Sequence, residues 1–369
     1  MEATEASVVA TPKPRLELCG TWMVVRGGTK LLAARYKEPS QDDLFVYDCT
    51  TAGKKPQENK GLVTRRCTSL IITTMEDKIV VADKSGDVYS YSIAEPEKTG
   101  TIELGHLSLL LDVALSPDDQ YILTADRDEK IRVSLMRAPH NIVSFCLGHR
   151  EFVSRIFVIP NYPDLLLSAS GDCTLRLWEY KSGKEVYCCH LNSLNTCDAS
   201  KNEKKYTVSR TTYCCEGNYI AILYDCIPTV SIFQLDADAQ KLLCKQHISL
   251  NHQGWDIAFE ETGGLWILQE DKQTPLLLYQ PVDGQWQSVI EEKQLIKMSK
   301  YFHDNWTAFE DSVGKGSCYQ NLYKASFDNM AVYLQKKEER LQQKKNKRKE
   351  VQCESNGQTK KVKTEGPSL

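Results

Sequence analysis

"LGHREFVSRIFVIPNYPDLLLSASGDCTLRLWEY", residues 147–180, decides the fold because the chain writes it twice. The other copy is "LGHLSLLLDVALSPDDQYILTADRDEKIRVSL", residues 104–135. Each runs from a Gly-His pair through a short apolar strand to a proline-containing turn. A second strand, an acidic turn and a third strand follow. The pairs Gly105-His106 and Gly148-His149 stand 43 residues apart.

That period is the blade length of a WD-repeat β-propeller, about 40 to 45 residues. The third strand extends the series. Its starts read Leu44, Val88, Ile131, Leu175, Val230 and Leu276, spaced by 44, 43, 44, 55 and 46. The longest spacing holds a polar insertion, residues 194–210. Apolar residues alternate in several of these strands, as half-buried β-strands require. Helical periodicity begins only after residue 325. The expected fold is therefore all-β, a WD-repeat β-propeller with six third strands. One four-stranded blade cannot bury both faces alone, and stacking blades around an axis buries them. Residues 1–14 are expected to be disordered and 15–325 to form the propeller. A basic helix is expected over 326–348 and a disordered tail over 349–369.

Within residues 147–180, His149, Ser170, Asp172 and Trp178 are the residue types that link a blade's turns and strands by hydrogen bonds. They are read as scaffold, since a Ser/His/Asp triad also needs a placed nucleophile and an oxyanion site. The preceding unit departs from this template. Asp126 stands in place of Ser170 and Ser134 in place of Trp178, while His106 and Asp128 remain. Departures from a local rule are where function is often found.

Composition bounds the rest. The chain has 369 residues, 41% of them hydrophobic, and a net charge of −3, so global basicity does not point to nucleic acid. The first residues hold no apolar signal core, and no run approaches the ~18 apolar residues that span a bilayer. A soluble, intracellular protein without a membrane partner is expected. Its 14 cysteines contain no C-x-x-C, and the reading is buried free thiols rather than a zinc site. The seven histidines are scattered. Neither the phosphate loop G-x-x-x-x-G-K-[ST] nor G-x-G-x-x-G after a strand occurs. Carboxylate pairs such as Asp118-Asp119 and Glu260-Glu261 fall in expected turns. The chain reads as non-enzymatic, with no metal and no cofactor.

Six stretches carry a closer resemblance: "VADKSGDVYSYS" (81–92), residues 102–134, "FCLGHREFVSRI" (145–156), "SGDCTLRLWEY" (170–180), "WDIAFEETGGLW" (255–266) and "KASFDNMAVYLQKKEERLQQ" (324–343). The chain resembles the non-catalytic WD-repeat subunit of the tRNA guanine-N7 methyltransferase complex, over about residues 16–345. The resemblance implies a scaffold in a heterodimer that holds and stabilises a separate catalytic chain. S-adenosylmethionine would bind that partner, which forms 7-methylguanosine in the tRNA variable loop. It also implies a docking surface at Lys84, Asp128, Glu129 and Arg132, with Arg127 in the same turn.

The residues fit this independently. "DKSGD" and "DRDEK" are equivalent turns of consecutive units, and such turns project from one face. Mixed charges across two blades suit complementary ion pairs, which give specificity and association rate. Arg132 lies between Ile131 and Val133 and faces opposite to both. If covered, it needs a partner, and an acid such as Asp128 is the expected one. The alternative is a generic WD-repeat adaptor, either a ubiquitin-ligase substrate receptor or a chromatin scaffold.

Two features complete the reading. From Lys336 to Glu350 there are eight Lys/Arg against three Glu. Lys336, Lys337, Arg340, Lys344 and Lys345 are candidate tRNA contacts. "KKNKRK" suggests import, so the nucleus is the expected location, with the cytoplasm second. The resembling family has seven blades, whereas "ENKGLVTRRC" (58–67) joins the first repeat directly to the next, so a blade is expected to be missing.

Overall fold

A computed structural model describes residues 13–37, 44–48, 66–96, 98–194, 206–324, 330 and 333–342. Residues 1–12, the expected tail over 349–369, Lys344 and Lys345 lie outside them. The strands follow the alternation of the sequence and pair only with chain neighbours. They form six four-stranded antiparallel sheets, the six blades of a β-propeller.

Blade 1 is β1 (Arg15–Cys19), β2 (Trp22–Gly27), β3 (Lys30–Arg35) and β4 (Leu44–Asp48). Blade 2 is β5 (Cys67–Ile72), β6 (Lys78–Asp83), β7 (Asp87–Ser92) and β8 (Thr101–Gly105). Blade 3 is β9 (Leu110–Leu115), β10 (Tyr121–Asp126), β11 (Ile131–Leu135) and β12 (Ala138–Cys146). Blade 4 is β13 (Val153–Val158), β14 (Leu165–Ser170), β15 (Thr174–Glu179) and β16 (Lys184–His190). Blade 5 is β17 (Val208–Cys214), β18 (Tyr219–Tyr224), β19 (Thr229–Asp236) and β20 (Lys241–Ser249). Blade 6 is β21 (Gly254–Phe259), β22 (Leu265–Gln269), β23 (Leu276–Val282) and β24 (Gln285–Val289).

The third strands of blades 2 to 6 begin at or within two residues of the positions read from the period. Blade 1 corrects the reading. Leu44 opens its fourth strand, and its third is Lys30–Arg35. The Gly27-Gly28 turn folds β2 onto β3, with Gly28 at φ +55. A side chain on Gly27 would meet the Ala308 carbonyl at 2.6 Å.

Five junctions between neighbouring blades are filled by apolar side chains. Blade 2 meets blade 3 through Val80, Val88, Leu110 and Ile122. Blade 3 meets blade 4 through Leu123, Val133, Ile156 and Trp178. Blade 4 packs on blade 5 through Leu167, Leu177, Ile222 and Phe233. Leu223, Ile232, Ile257 and Ile267 join blade 5 to blade 6. Trp266 and Leu268 join blade 6 to Met23, Val25 and Leu32 of blade 1.

Between blades 1 and 2 there is no such cluster among the described residues. Ile71 faces blade 3, so alternation turns Leu70 and Ile72 the other way. They remain 59% and 50% exposed. The sequence reading expects the missing repeat at this junction. A belt of polar links runs through the other inner strands. Asp112 accepts from Ser69 Oγ at 2.7 Å and from the Ile156 N–H at 2.9 Å. Arg155 Nε donates to the Ser209 carbonyl at 2.9 Å, and Arg210 pairs with Asp256 at 2.9 Å. Asp256 then accepts the Leu16 N–H at 2.8 Å.

Two more expectations are corrected. A helix, α1 (Lys293–Asp304), lies inside the region read as free of helical periodicity. Its Leu295, Met298, Tyr301 and Phe302 recur at helical spacing and are buried against blades 1 and 6. Lys13, read as disordered, is held by Asp225 at 2.7 Å. Residues 333–342 form a second helix, α2, all exposed, which belongs to a separate compact unit beginning at Lys324. Among the described residues, no helix is long and apolar enough to cross a membrane. Of the described cysteines, Cys146, Cys189 and Cys214 are buried free thiols, and Cys173 is buried as well. Cys19, Cys67, Cys215, Cys226 and Cys318 are free and exposed, against the reading of burial.

Candidate protein-docking face

An antiparallel four-stranded blade places its second-to-third-strand turn and its link to the next blade at the same end. One backbone bond repeats there. The residue after the second strand donates its N–H to the carbonyl just before the first strand. The pairs are Lys84 to Arg66 (3.0 Å), Arg127 to Leu109 (2.9 Å) and Gly171 to Phe152 (3.0 Å). Asp225 to Thr207 (2.8 Å) and Glu270 to Gln253 (2.9 Å) continue the set. Lys84 and Arg127 are therefore equivalent residues of adjacent blades, on one face.

Blade 4 contains the scaffold set, with one change of residue. Trp178 Nε1 donates to Ser168 Oγ at 2.7 Å, and Ser168 meets His149 Nε2 at 2.7 Å. His149 Nδ1 lies 3.1 Å from Asp172 Oδ2. An indole only donates and a carboxylate only accepts. The chain of donors therefore runs from Trp178 through Ser168 to a neutral His149, whose Nδ1–H points at Asp172. Burial pulls the His149 pKa below its ordinary value, in agreement, against the opposing pull of Asp172. Burial pushes the Asp172 carboxyl up, but hydrogen bonds from His149, Thr174 and the Arg150 N–H outweigh it and hold the group well below the usual carboxylate range.

Ser170 is not the bridging serine. Its Oγ donates to the Glu151 carbonyl at 3.0 Å and accepts the Asp172 N–H at 3.1 Å. Ser168 and Ser170 share a face by alternation. Ser168 lies opposite Arg176 inside the ladder, while Ser170 lies beyond its end, at the turn.

Blade 3 rebuilds the set rather than losing it. His106 Nε2 meets Thr124 Oγ1 at 2.7 Å, and His106 Nδ1 lies 3.3 Å from Asp126 Oδ2. Thr124 faces Arg132 as Ser168 faces Arg176. The structural acid is thus Asp126. Asp128, the sequence counterpart of Asp172, is left exposed at the turn tip.

Arg132 finds no acid. Its Nε donates to Ser134 Oγ at 2.9 Å, its Nη2 to the Pro139 carbonyl at 2.8 Å and its Nη1 to the Gly105 carbonyl at 3.2 Å. The expected pairing with Asp128 is corrected: two carbonyls and a hydroxyl hold the guanidinium. Burial lowers its pKa. Ser134 occupies the register position of Trp178. The smaller residue leaves Arg132 room to reach β12 and the end of β8.

The candidate docking residues divide accordingly. Lys84, Arg127 and Asp128 are exposed. No side-chain partner holds them among the described residues. Glu129 is half-buried at φ +70. Arg132 is half-buried and ties β11 to the end of β8 and the start of β12. On α2, Lys336, Lys337 and Arg340 are exposed. No group of three or more His, Cys, Asp or Glu is placed to hold a metal among the described residues. A cavity on the same face is lined by Asp225, Ser317 and Tyr323, but Lys13 and Ser317 hold its carboxylate.

Residues 94–275 match the family model described as the tRNA methyltransferase TRM82 WD40 domain. The human protein named tRNA (guanine-N(7)-)-methyltransferase non-catalytic subunit WDR4 is 49% identical, covering 87% of this chain and 89% of its own. The chain belongs to this family of non-catalytic methyltransferase subunits. The mouse counterpart is 45% identical, over 88% of this chain and 90% of its own. The Xenopus laevis counterpart is 45% identical, over 87% and 83%.

The human alignment spans 368 positions and the frog alignment 329, for the same share of this chain. The difference is close to one blade. The human protein thus carries nearly a blade of residues without counterpart here, and the frog protein does not. As a family member the chain is not itself the methyltransferase.

Proposed function

We propose that this chain is the scaffold of a heterodimer, binding and stabilising a separate catalytic tRNA guanine-N7 methyltransferase chain. Docking uses the face bearing Lys84, Arg127, Asp128 and Glu129. One observation carries the reading. With the structural acid at 126 rather than 128, Asp128 joins Lys84 and Arg127 as exposed charges without a side-chain partner among the described residues. A scaffold with no partner gains nothing from this, because the sibling turn of blade 4 uses its acid internally.

Arg132, held by the Gly105 and Pro139 carbonyls, fixes the strand ends behind this face rather than touching the partner. S-adenosylmethionine and the methyl transfer belong to the catalytic chain. This subunit helps position tRNA, with Lys336, Lys337 and Arg340 of α2 and the following Lys344 and Lys345 meeting phosphates. "KKNKRK" directs import to the nucleus.

Co-expression with the catalytic chain tests the reading. The expected result is a stable complex that forms 7-methylguanosine in tRNA, weakened by Lys84→Glu and by Asp128→Lys. Failure of the wild-type chains to co-purify would overturn it.

A further inference from the structure

The link from blade 2 to blade 3, residues 106–109, is wedged between the two charged turns. The His106 N–H donates to the Gly86 carbonyl at 2.8 Å, and the Leu109 carbonyl accepts from Arg127 at 2.9 Å. The contact with the first turn is so close that a Cβ on Gly86, at φ +100, would lie 2.6 Å from the carbonyl oxygens of both His106 and Ser108. Between those two carbonyls stands Leu107, whose side chain is exposed to 110% of the reference value. On the far side of the Arg127–Lys130 turn, Leu147 follows Cys146, the residue opposite Ile131 at the ladder end. Leu147 is 61% exposed.

A single exposed leucine on a protein surface needs no explanation. This one has three further marks. The linker is fixed by backbone hydrogen bonds on both sides, so little order would be lost on binding. It is rimmed by Lys84 and by Arg127 and Asp128, which are exposed and free of side-chain partners among the described residues. And it departs from its own template: in the next repeat, "LGHR" replaces "LGHL", and Arg150 takes the place of Leu107. An apolar centre inside a polar rim is the anatomy of a protein-binding patch.

We propose that Leu107, supported by Leu147, is the apolar anchor of this face. It seats in an apolar recess of the catalytic chain whose rim carries an acid facing Lys84 and a base facing Asp128. The assignment rests on the docking reading above and names its energetic centre. The charged turns set orientation and encounter rate, and the leucine supplies affinity that salt does not screen.

Binding of the purified full-length chain to the purified catalytic chain, measured at low and high salt, tests this. Leu107→Ser should raise Kd about 10- to 100-fold, as expected for a leucine no longer buried on binding. Its melting temperature should stay at the wild-type value, because the side chain touches little. The loss should persist at high salt, whereas that of Lys84→Glu should shrink. Leu107→Met should bind nearly as wild type. If Leu107→Ser binds as wild type while Lys84→Glu is weakened, the anchor is refuted and the docking face stands. If wild type itself does not bind, the docking reading falls, and the anchor falls with it.

Discussion

Blades 3 and 4 begin with the same Leu-Gly-His and share their strand pattern, yet different groups hold their turns. In blade 4 a tryptophan, a serine, a histidine and an acid form one line of hydrogen bonds, and every polar group is used. In blade 3 the tryptophan is a serine, and an arginine spans the freed space to bind the Pro139 and Gly105 carbonyls. The histidine keeps its place but takes Thr124 and Asp126. The first solution spends its acid on the scaffold. The second leaves Asp128 exposed on the turn. A repeat can therefore stay folded while presenting a different surface, provided its internal bonds are re-supplied one register step away.

The comparison is broken most directly at Trp178. Trp178→Ala should cost about 3 to 5 kcal/mol, since it removes a fully buried ring and leaves Ser168 without its donor. Ser134→Ala, at the same register in blade 3, removes one hydrogen bond and should cost only about 1 kcal/mol. Denaturant unfolding of the two variants checks this. Equal losses would mean that the two blades are held alike.

The paired acids come next. Asp172→Asn should destabilise by about 1 to 3 kcal/mol, because several donors converge on that carboxylate. Asp128→Asn should change stability by less than about 0.5 kcal/mol, as surface substitutions do. The pH dependence has a definite sign. The Asp172 carboxyl is held below its ordinary value in the folded state. Its contribution is complete above the unfolded value, near 4, and is lost as pH falls through the folded one. His149 is also lowered. Its share is complete above about 6.5 and declines on acidification, because the unfolded chain then binds the extra proton. Unfolding followed from pH 7 to pH 2 should show the gap between wild type and Asp172→Asn holding down to about pH 4 and closing below it.

Arg132 sharpens the comparison on the other side. Arg132→Leu strands two carbonyls and a hydroxyl, and should cost about 1 to 2 kcal/mol. It should also weaken binding of the catalytic chain, because the Gly105 carbonyl, at the root of the link that passes beside both charged turns, loses its donor. Unchanged pull-down together with an unchanged melting temperature would refute this role.

Much of this was legible in the chain itself. The 43-residue repeat carried the propeller, because blade length and Gly-His position survive wherever four strands must stack on their neighbours. The two turns facing one way followed from the same period. Three things were not legible for identifiable reasons. Ser168 and Ser170 are indistinguishable by alternation, and only the ladder register separates them. The carbonyls that hold Arg132 are backbone atoms, which no side-chain pattern announces. Leu107 looks like one more apolar residue of "LSLLL" until the loop geometry shows it turned outward. By contrast, α1 was readable: Leu295, Met298 and Phe302 already had helical spacing.

The smallest effect separates turn order from contact. Glu129 holds φ +70, where the equivalent residues are Gly86 at +100 and Cys173 at +62. A non-glycine residue in this region carries about 1 to 2 kcal/mol of strain. Glycine would remove the strain but raise the entropy of the unfolded chain by a comparable ~0.4 to 1 kcal/mol. Glu129→Gly should therefore change stability by less than about 1 kcal/mol. If its carboxylate meets the catalytic chain, binding should weaken in that same variant. Lower affinity at undiminished stability would mark Glu129 as a contact. A matching fall in both would make it a residue that shapes the turn for others to use.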